Sequence, residues 1–195
     1  MSGEELFLCV RIIDKTGNKF VSGAHDSQIV LWDMNTKVEK YLLGHTGPVW
    51  AIDVSPNKLW IVSAGDLTIK LWSLESLECK LTFTGHKKPI SCVKFLDDHS
   101  IVSGSQDHTL RIWDIRTGAC TVLYGHTKEV LCMAFHRDLV ITGSADGTVR
   151  FWQPKTQECH LILNAHTQSI SSLEVYEDTL VTSSRDGSVK LFKIT

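Results

Sequence analysis

The amino-acid sequence predicts an all-β fold built from about five copies of one four-stranded unit. An aromatic residue followed by a polar one recurs at a nearly constant interval, at Trp32-Asp33, Trp72-Ser73, Trp113-Asp114, Trp152-Gln153 and Phe192-Lys193. A small residue followed by histidine recurs at the same interval, at Gly44-His45, Gly85-His86, Gly125-His126 and Ala165-His166. Self-similarity with a period of roughly 40 residues is typical of β-propellers, in which each repeat forms one four-stranded blade.

The repeat at residues 126–164 shows the order of strands and turns within one unit. Short runs suited to strands occupy 130–135, 139–142, 148–152 and 158–163, with a turn cluster at 144–147. Evenly spaced short strands separated by turn signals indicate an antiparallel meander. The same pattern places the strands of the first unit at 6–12, 20–22, 29–32 and 40–43.

The repeats predict a single domain over residues 1–195, with blades at about 1–43, 44–84, 85–124, 125–164 and 165–195. The fifth blade ends directly after its third strand, at Thr195. The first five residues, Met1–Glu5, are too few and too charged to supply the missing strand. Because unpaired strand edges invite pairing with another chain, we expect an open or partial ring that self-associates or is completed by a partner. A small closed ring of about five blades is the alternative.

The charge balance argues against a polyanionic partner. The chain has 20 Lys and Arg residues against 22 Asp and Glu residues, a formal net charge of -2. Nucleic-acid-binding domains usually carry a basic stripe, so we expect no direct nucleic-acid binding. The acidic start does not fit a signal peptide, and no apolar run is long enough to insert into a membrane. We therefore expect an intracellular protein of the cytoplasm, the nucleus or both.

The six cysteines lie mostly at repeated positions. Cys79, Cys120 and Cys159 occupy one position in three successive repeats, and Cys92 and Cys132 share another. Equivalent positions of a propeller lie on different blades, too far apart for disulfides. Without a Cys-x-x-Cys pair, zinc binding is not expected either, and we predict no metal or cofactor. We expect these cysteines to be small buried hydrophobic residues in a reducing compartment.

The segment Ser103-Gly-Ser-Gln-Asp-His-Thr-Leu-Arg-Ile-Trp-Asp114 resembles the WD-repeat family, and the resemblance covers essentially all 195 residues. It implies a hydrogen-bonded set of His, Ser or Thr, Asp and Trp within each blade. By position, these sets are His45, Ser63, Asp66 and Trp72; His86, Ser103, Asp107 and Trp113; His126, Thr142, Asp146 and Trp152; and His166, Thr182 and Asp186. The first blade has Ser22, Asp26 and Trp32 without the histidine.

Two blades depart from this pattern. The turn from Ser63 to Asp66 is one residue shorter than its equivalents in the other blades, so the second set is in doubt. Phe192 has no N–H to donate where the other blades have tryptophan. The combination of Ser, His and Asp also occurs in hydrolases. Its recurrence in successive repeats favours a structural role, and we expect no enzymatic activity.

The resemblance implies a protein-protein interaction scaffold or adaptor that docks partners on one face of the propeller. The candidate residues follow the Gly-His loop or precede the turn aspartate: Trp50, Ser91, Gln106, Glu129, Leu131, Ser171 and Arg185. The short turns at 136–138 and 176–178 resemble those of F-box/WD substrate receptors of ubiquitin ligases, which read phosphorylated degrons with several arginines. Only Arg185 matches here and no F-box segment is present, so phosphodegron recognition is the alternative function. WD-repeat propellers usually have seven blades, which also favours a partial ring for this chain.

Overall fold

A computed structural model describes residues 6–194 of the chain, and the strands in this range form five separate antiparallel sheets. The first sheet contains β1 (Phe7–Ile12), β2 (Lys19–Ala24), β3 (Ile29–Asp33) and β4 (Val38–Leu42). The second contains β5 (Val49–Val54), β6 (Trp60–Gly65), β7 (Thr68–Ser73) and β8 (Cys79–Thr84). The third contains β9 (Ile90–Phe95), β10 (Ser100–Ser105), β11 (Leu110–Asp114) and β12 (Cys120–Leu123). The fourth contains β13 (Val130–His136), β14 (Leu139–Ser144), β15 (Thr148–Gln153) and β16 (Glu158–Asn164). The fifth contains β17 (Ile170–Tyr176), β18 (Thr179–Ser184) and β19 (Val189–Lys193).

Each sheet is a meander in which every strand pairs with its neighbours in sequence. The predicted all-β fold of repeated units, with three strands in the last described sheet, is confirmed. We call the end of the sheets that carries the Gly-His loops and the second-to-third-strand turns the upper end. The first-to-second and third-to-fourth connections lie at the other, lower end, because consecutive antiparallel strands reverse direction.

The hydrophobic core lies between neighbouring sheets. Between the second and third sheets, Ile69 and Leu71 of β7 pack with Ile101 of β10 and Trp113 of β11. Trp72 and Trp152 likewise pack against the sheet that precedes each of them. Because each of the three inner sheets buries one face on the blade before it and the other on the blade after it, neighbouring repeats stabilise one another.

The first strands of successive sheets contact one another along the row, from β1 through β5, β9 and β13 to β17. The row is open, and apolar side chains are exposed at both of its ends. Val10 and Ile12 on β1 are 60% and 61% exposed, and Val189 and Leu191 on β19 are 63% and 68% exposed. Trp32 lies in the first sheet of the described row, so its indole has no preceding sheet to pack against. It contacts Phe7 and Phe20 of its own sheet instead, at ring-centroid distances of 5.9 and 5.6 Å.

The cysteines are not uniformly buried, so that part of the sequence prediction is wrong. Cys79 and Cys120 are exposed, whereas Cys92 is buried; all six are free thiols. Cys79 and Cys120 begin β8 and β12, the outermost strands of their sheets. An outermost strand packs less of its surface on neighbouring blades, so its cysteine stays in contact with solvent.

Candidate functional site

In the third blade, a histidine links the Gly-His loop to the second strand and to the following turn. His86 Nε2 lies 2.8 Å from Ser103 Oγ, and His86 Nδ1 lies 2.8 Å from Asp107 Oδ2. Trp113 Nε1–H donates to the same Ser103 hydroxyl at 2.9 Å. The four side chains therefore form one continuous hydrogen-bonded chain across the blade.

The aspartate of this set also holds the backbone of the loop and the turn. Asp107 accepts the backbone N–H of Lys87 at 2.9 Å and the hydroxyl of Thr109 at 2.6 Å. Burial alone would raise the pKa of Asp107, but hydrogen bonds from Thr109, Lys87 and His86 outweigh it and lower the pKa to about 2. Burial also lowers the pKa of His86, against the influence of Asp107. The carboxylate is thus ionised because its donors are fixed in place.

The fourth and fifth blades repeat these contacts. His126 lies 2.9 Å from both Asp146 Oδ2 and Thr142 Oγ1, and Trp152 donates to Thr142 at 2.8 Å. In the fifth blade, His166 lies 2.9 Å from Asp186 Oδ2 and 2.8 Å from Thr182 Oγ1. The hydrogen bonds that Asp146 and Asp186 accept hold both of their pKa values well below the usual range. Phe192, at the tryptophan position, packs on the core between the fourth and fifth sheets and has no N–H to donate.

The second blade has only part of the set. His45 Nε2 lies 2.7 Å from Ser63 Oγ, and Trp72 donates to Ser63 at 2.8 Å. The carboxylate of Asp66 instead accepts the hydroxyl of Thr46 at 3.0 Å. The Nδ1 atom of His45 is buried and has no hydrogen-bond partner among the residues that the structure describes. The one-residue-shorter turn therefore places the carboxylate out of reach of the imidazole.

Burial lowers the pKa of His45 to about 4, and the nearby cation of Lys70 acts in the same direction. The carboxylate of Asp66 opposes this shift but is the smallest of the three influences. In the first blade, Trp32 donates to Ser22 at 2.8 Å, and Asp26 accepts the backbone N–H of Gln28 at 3.0 Å. Neither of these two blades has a histidine bonded to its turn aspartate.

At the upper end of the sheets, a cavity of about 320 Å3 opens where the innermost strands converge. We call it the central cavity; it is lined by Trp50, Ile90, Ser91, Gln106, Leu131, Ser171 and Arg185. Six of the seven sequence-predicted partner-binding residues are thus brought together, although they come from four different blades. The side chain of Glu129 is not part of this lining; its carbonyl accepts the backbone N–H of Ala145 at 2.9 Å.

A β-bulge in each innermost strand places four of these residues. The register shifts between Val49 and Ala51 on β5, so Trp50 is the extra residue opposite β6. The same irregularity leaves Ser91, Leu131 and Ser171 as extra residues of their strands. A bulge redirects a side chain out of the regular alternation. These four side chains therefore line the cavity instead of packing between blades.

Backbone hydrogen bonds between the upper turns and the Gly-His loops position the remaining lining residues. The N–H of Gln106 donates to the carbonyl of Pro89, and the N–H of Arg185 donates to that of Ser169, both at 2.9 Å. Because each turn is tied to the loop beside it, Gln106 and Arg185 are presented from the rigid part of the blade. Sites on rigid elements hold their geometry better than sites on free loops.

The central cavity combines apolar surface with a single formal charge. Trp50 is 44% exposed, and Arg185 is the one ionisable residue in the lining. The buried hydroxyl of Ser91 has no partner within residues 6–194. Sequence reasoning missed Ile90, because this residue reads as an ordinary core position and is 1% exposed. An exposed tryptophan and an arginine in one concave site favour binding of a polypeptide segment.

Two other kinds of site are not seen in the described part of the chain. Residues 6–194 contain no group of three or more His, Cys, Asp or Glu side chains arranged to hold a metal ion. The same residues include no helix with the length and hydrophobicity needed to cross a membrane.

The family described as "WD domain, G-beta repeat" matches residues 4–33, 36–73, 77–114, 118–153 and 157–193. The chain therefore belongs to the WD-repeat family, whose repeats account for the five described sheets.

Several curated proteins are similar to part of this chain. Protein tipD of Dictyostelium discoideum is 31% identical over 127 residues, covering 64% of this chain and 20% of tipD. Coatomer subunit beta'-2 of Arabidopsis thaliana is 34% identical over 114 residues, covering 55% of this chain and 12% of the subunit. Nuclear distribution protein nudF 1 of Talaromyces marneffei is 34% identical over 127 residues, covering 60% of this chain and 28% of nudF 1. The matched region thus spans only 12% to 28% of the length of these relatives.

Proposed function

We propose that this chain is a non-catalytic protein-interaction scaffold, and that a partner protein docks at the central cavity. The convergence of six predicted residues from four blades on one cavity carries the proposal. Trp50 offers a large apolar surface, and Arg185 offers a guanidinium able to bind a carboxylate in a bidentate manner. Tryptophan and arginine are the residue types most enriched among binding hot spots.

The hydrogen-bonded sets support a structural rather than a catalytic role. Ser103 and Thr142 are fully buried. Each hydroxyl already contacts both an indole N–H and an imidazole nitrogen. A nucleophile must reach its substrate. These hydroxyls are closed off by their own blades, so we infer that the chain is not an enzyme.

The names of the relatives fit a protein that assembles with others. One relative is named as a subunit of coatomer, one as a nuclear distribution protein, and the ribosome biogenesis protein YTM1 is also similar. We infer from this an intracellular location in the cytoplasm, the nucleus or both. A net charge of -2 supports protein rather than nucleic-acid partners.

Quantitative capture from a cell extract tests the central cavity. The wild-type chain would be compared with Trp50→Ala and Arg185→Glu, which alter the lining. Tyr176→Ala and Arg116→Glu are the matched controls, because Tyr176 is 74% exposed, the Arg116 side chain is 64% exposed, and both residues lie outside the cavity. We expect a set of proteins whose capture falls at least tenfold with the cavity variants and is unchanged with the controls. The proposal is wrong if every captured protein responds alike to the two groups of variants.

Recognition of a phosphorylated segment is the second candidate function. It rests on the position of Arg185 in a cavity that also contains the exposed residue Ser171. Phosphate oxygens accept hydrogen bonds from guanidinium and hydroxyl groups. An array of phosphorylated peptides and their unphosphorylated counterparts tests it directly. A lack of preference between members of the pairs would remove this function.

We also propose that the open row of sheets self-associates or is completed by a partner. The support is the unpaired far edge of β19 within the described residues, with Val189 and Leu191 exposed beside it. Unpaired strand edges are favourable sites for pairing with another chain.

Light scattering after size exclusion would measure the mass of the purified chain. A dimer or larger assembly supports self-association. A monomer whose amides in 189–193 exchange rapidly supports completion by a partner, and a monomer protected there argues against both.

A further inference from the structure

The lower end of the molecule carries a larger cavity, separate from the central cavity. It measures about 500 Å3 and lies between the first two sheets. Its wall includes the start of β2, the connection from β3 to β4, and the lower loops of the second blade. We call it the lysine-rimmed groove, because Lys19, Lys40 and Lys58 all contribute to its lining.

The floor of the groove is apolar and firmly anchored. Ile13 is part of the core between the first two sheets, and Leu31, Leu74 and Leu77 pack against that core. Val38 also lines the groove and is 45% exposed. A concave apolar surface of this kind, open to water, is suited to receiving apolar side chains.

The rim of the groove carries uncompensated positive charge. Asp33 is the one carboxylate in the lining, and it already pairs with Lys19 at 3.5 Å. Within residues 6–194, no carboxylate lies within salt-bridge distance of Lys40 or Lys58. The groove thus has excess positive charge in a chain whose net charge is -2.

The lower cavity beside the fourth blade differs from the lysine-rimmed groove in this respect. That cavity measures about 270 Å3, and its cations are Arg137 and Lys155. Each of them has a partner: Arg137 lies 3.0 Å from Asp178, and Lys155 lies 3.6 Å from Asp138. The cations of that cavity are therefore neutralised by carboxylates of the chain, whereas Lys40 and Lys58 of the lysine-rimmed groove are not.

We propose that the lysine-rimmed groove binds an acidic peptide segment of a partner protein, with apolar side chains on the floor and carboxylates at Lys40 and Lys58. The charge complementarity selects an acidic segment, and the apolar floor selects leucine, isoleucine or phenylalanine beside the acidic residues. Opposite potentials speed association and exclude partners of the wrong charge. The groove is at the opposite end from the central cavity, so the two surfaces can be occupied together.

Selection from a library of short random peptides displayed on phage tests this proposal. The bait is the 195-residue chain, and selected peptides are then measured by fluorescence anisotropy. Lys40→Glu/Lys58→Glu reverses the rim. Lys87→Glu/Lys88→Glu is the matched control, with the same change in charge at two exposed lysines of an upper loop. Thermal melts of each variant would establish that its fold is retained.

We expect peptides rich in Asp or Glu next to large apolar residues, with Kd at least tenfold weaker for the rim variant and unchanged for the control. A second variant, Val38→Lys, separates a groove from simple charge attraction. It adds a positive charge but makes the floor polar, so we expect weaker binding. Tighter binding to Val38→Lys, equal loss in the two double variants, or no acidic preference among selected peptides would each overturn the proposal.

Discussion

The imidazole of His45 lies 2.7 Å from the hydroxyl of Ser63 through Nε2, while its buried Nδ1 has no partner among the described residues. In the next blade, the corresponding Nδ1 atom of His86 lies 2.8 Å from Asp107. One protein thus contains a complete and an incomplete version of the same hydrogen-bonded set. The incomplete version provides an internal control for what the turn aspartate contributes to stability.

Asp107→Ala is expected to lower the free energy of unfolding by about 1–3 kcal/mol, the range for leaving buried hydrogen-bonding groups unsatisfied. The substitution leaves the N–H of Lys87 without its acceptor and leaves His86 Nδ1 with only the Thr109 hydroxyl, at 3.4 Å. Asp66→Ala is the matched variant and should have less than half of this effect, because Asp66 does not bond to His45. Urea denaturation measures both. Equal losses in the two variants would show that the histidine contact contributes nothing.

Stability should fall on acidification through His45. Its pKa is about 4 in the folded chain, because burial and Lys70 disfavour the charged form, and about 6.5 when unfolded. The folded state therefore binds fewer protons between these values. The contribution is fully present above pH 6.5 and is lost as the pH falls towards 4, by up to about 1.4 kcal/mol per pH unit. Unfolding curves of wild type and His45→Gln at several pH values would show this, since the variant should lose part of the dependence. Identical pH profiles would contradict the assignment.

The repeat period was sufficient to predict the sheets, and the resemblance to the WD-repeat family implied the hydrogen-bonded sets, which are complete in the third and fourth blades. Phe192 and the short turn at Asp66 were also recognisable as departures, because one sequence position differs from its equivalents. The positions facing the central cavity followed from their place in the repeat rather than from their chemistry. Trp50 and Ser91 have little in common except that they follow the Gly-His loop.

Three features of the structure could not be predicted from the sequence. The bulge that directs Trp50 into the cavity is a matter of strand register, which residue types do not reveal. The exposure of Cys79 depends on its being in an outermost strand, although its residue type suggests burial. The lysine-rimmed groove brings Lys40 and Lys58 together from two blades, so no local pattern marks it.

Thiol reactivity should divide the cysteines by strand position. Cys79 and Cys120 are exposed, whereas burial raises the pKa of Cys92 to about 12. Since the thiolate is the reactive form, iodoacetamide at pH 8 should alkylate the two exposed residues at least tenfold faster than Cys92. Peptide mass spectrometry over time measures the rates, and the urea-unfolded chain, in which all sites should react alike, is the control. Rapid labelling of Cys92 in the native chain would contradict its burial.

Phe192→Trp should stabilise the fifth blade. In the fourth blade, the indole N–H of Trp152 donates to Thr142 at 2.8 Å, and Thr182 occupies the corresponding place beside Phe192. A new hydrogen bond of this kind is worth about 0.5–1.5 kcal/mol, which corresponds to a rise in Tm of roughly 1–6 °C for a chain of this size. The reciprocal variant, Trp152→Phe, should lower the Tm. It removes the N–H donor, and because Trp152 is only 1% exposed, the smaller ring leaves a cavity in the core. Calorimetry of both variants tests the pair. A lower Tm for Phe192→Trp would mean that the fifth sheet lacks the space that the indole has in the other blades.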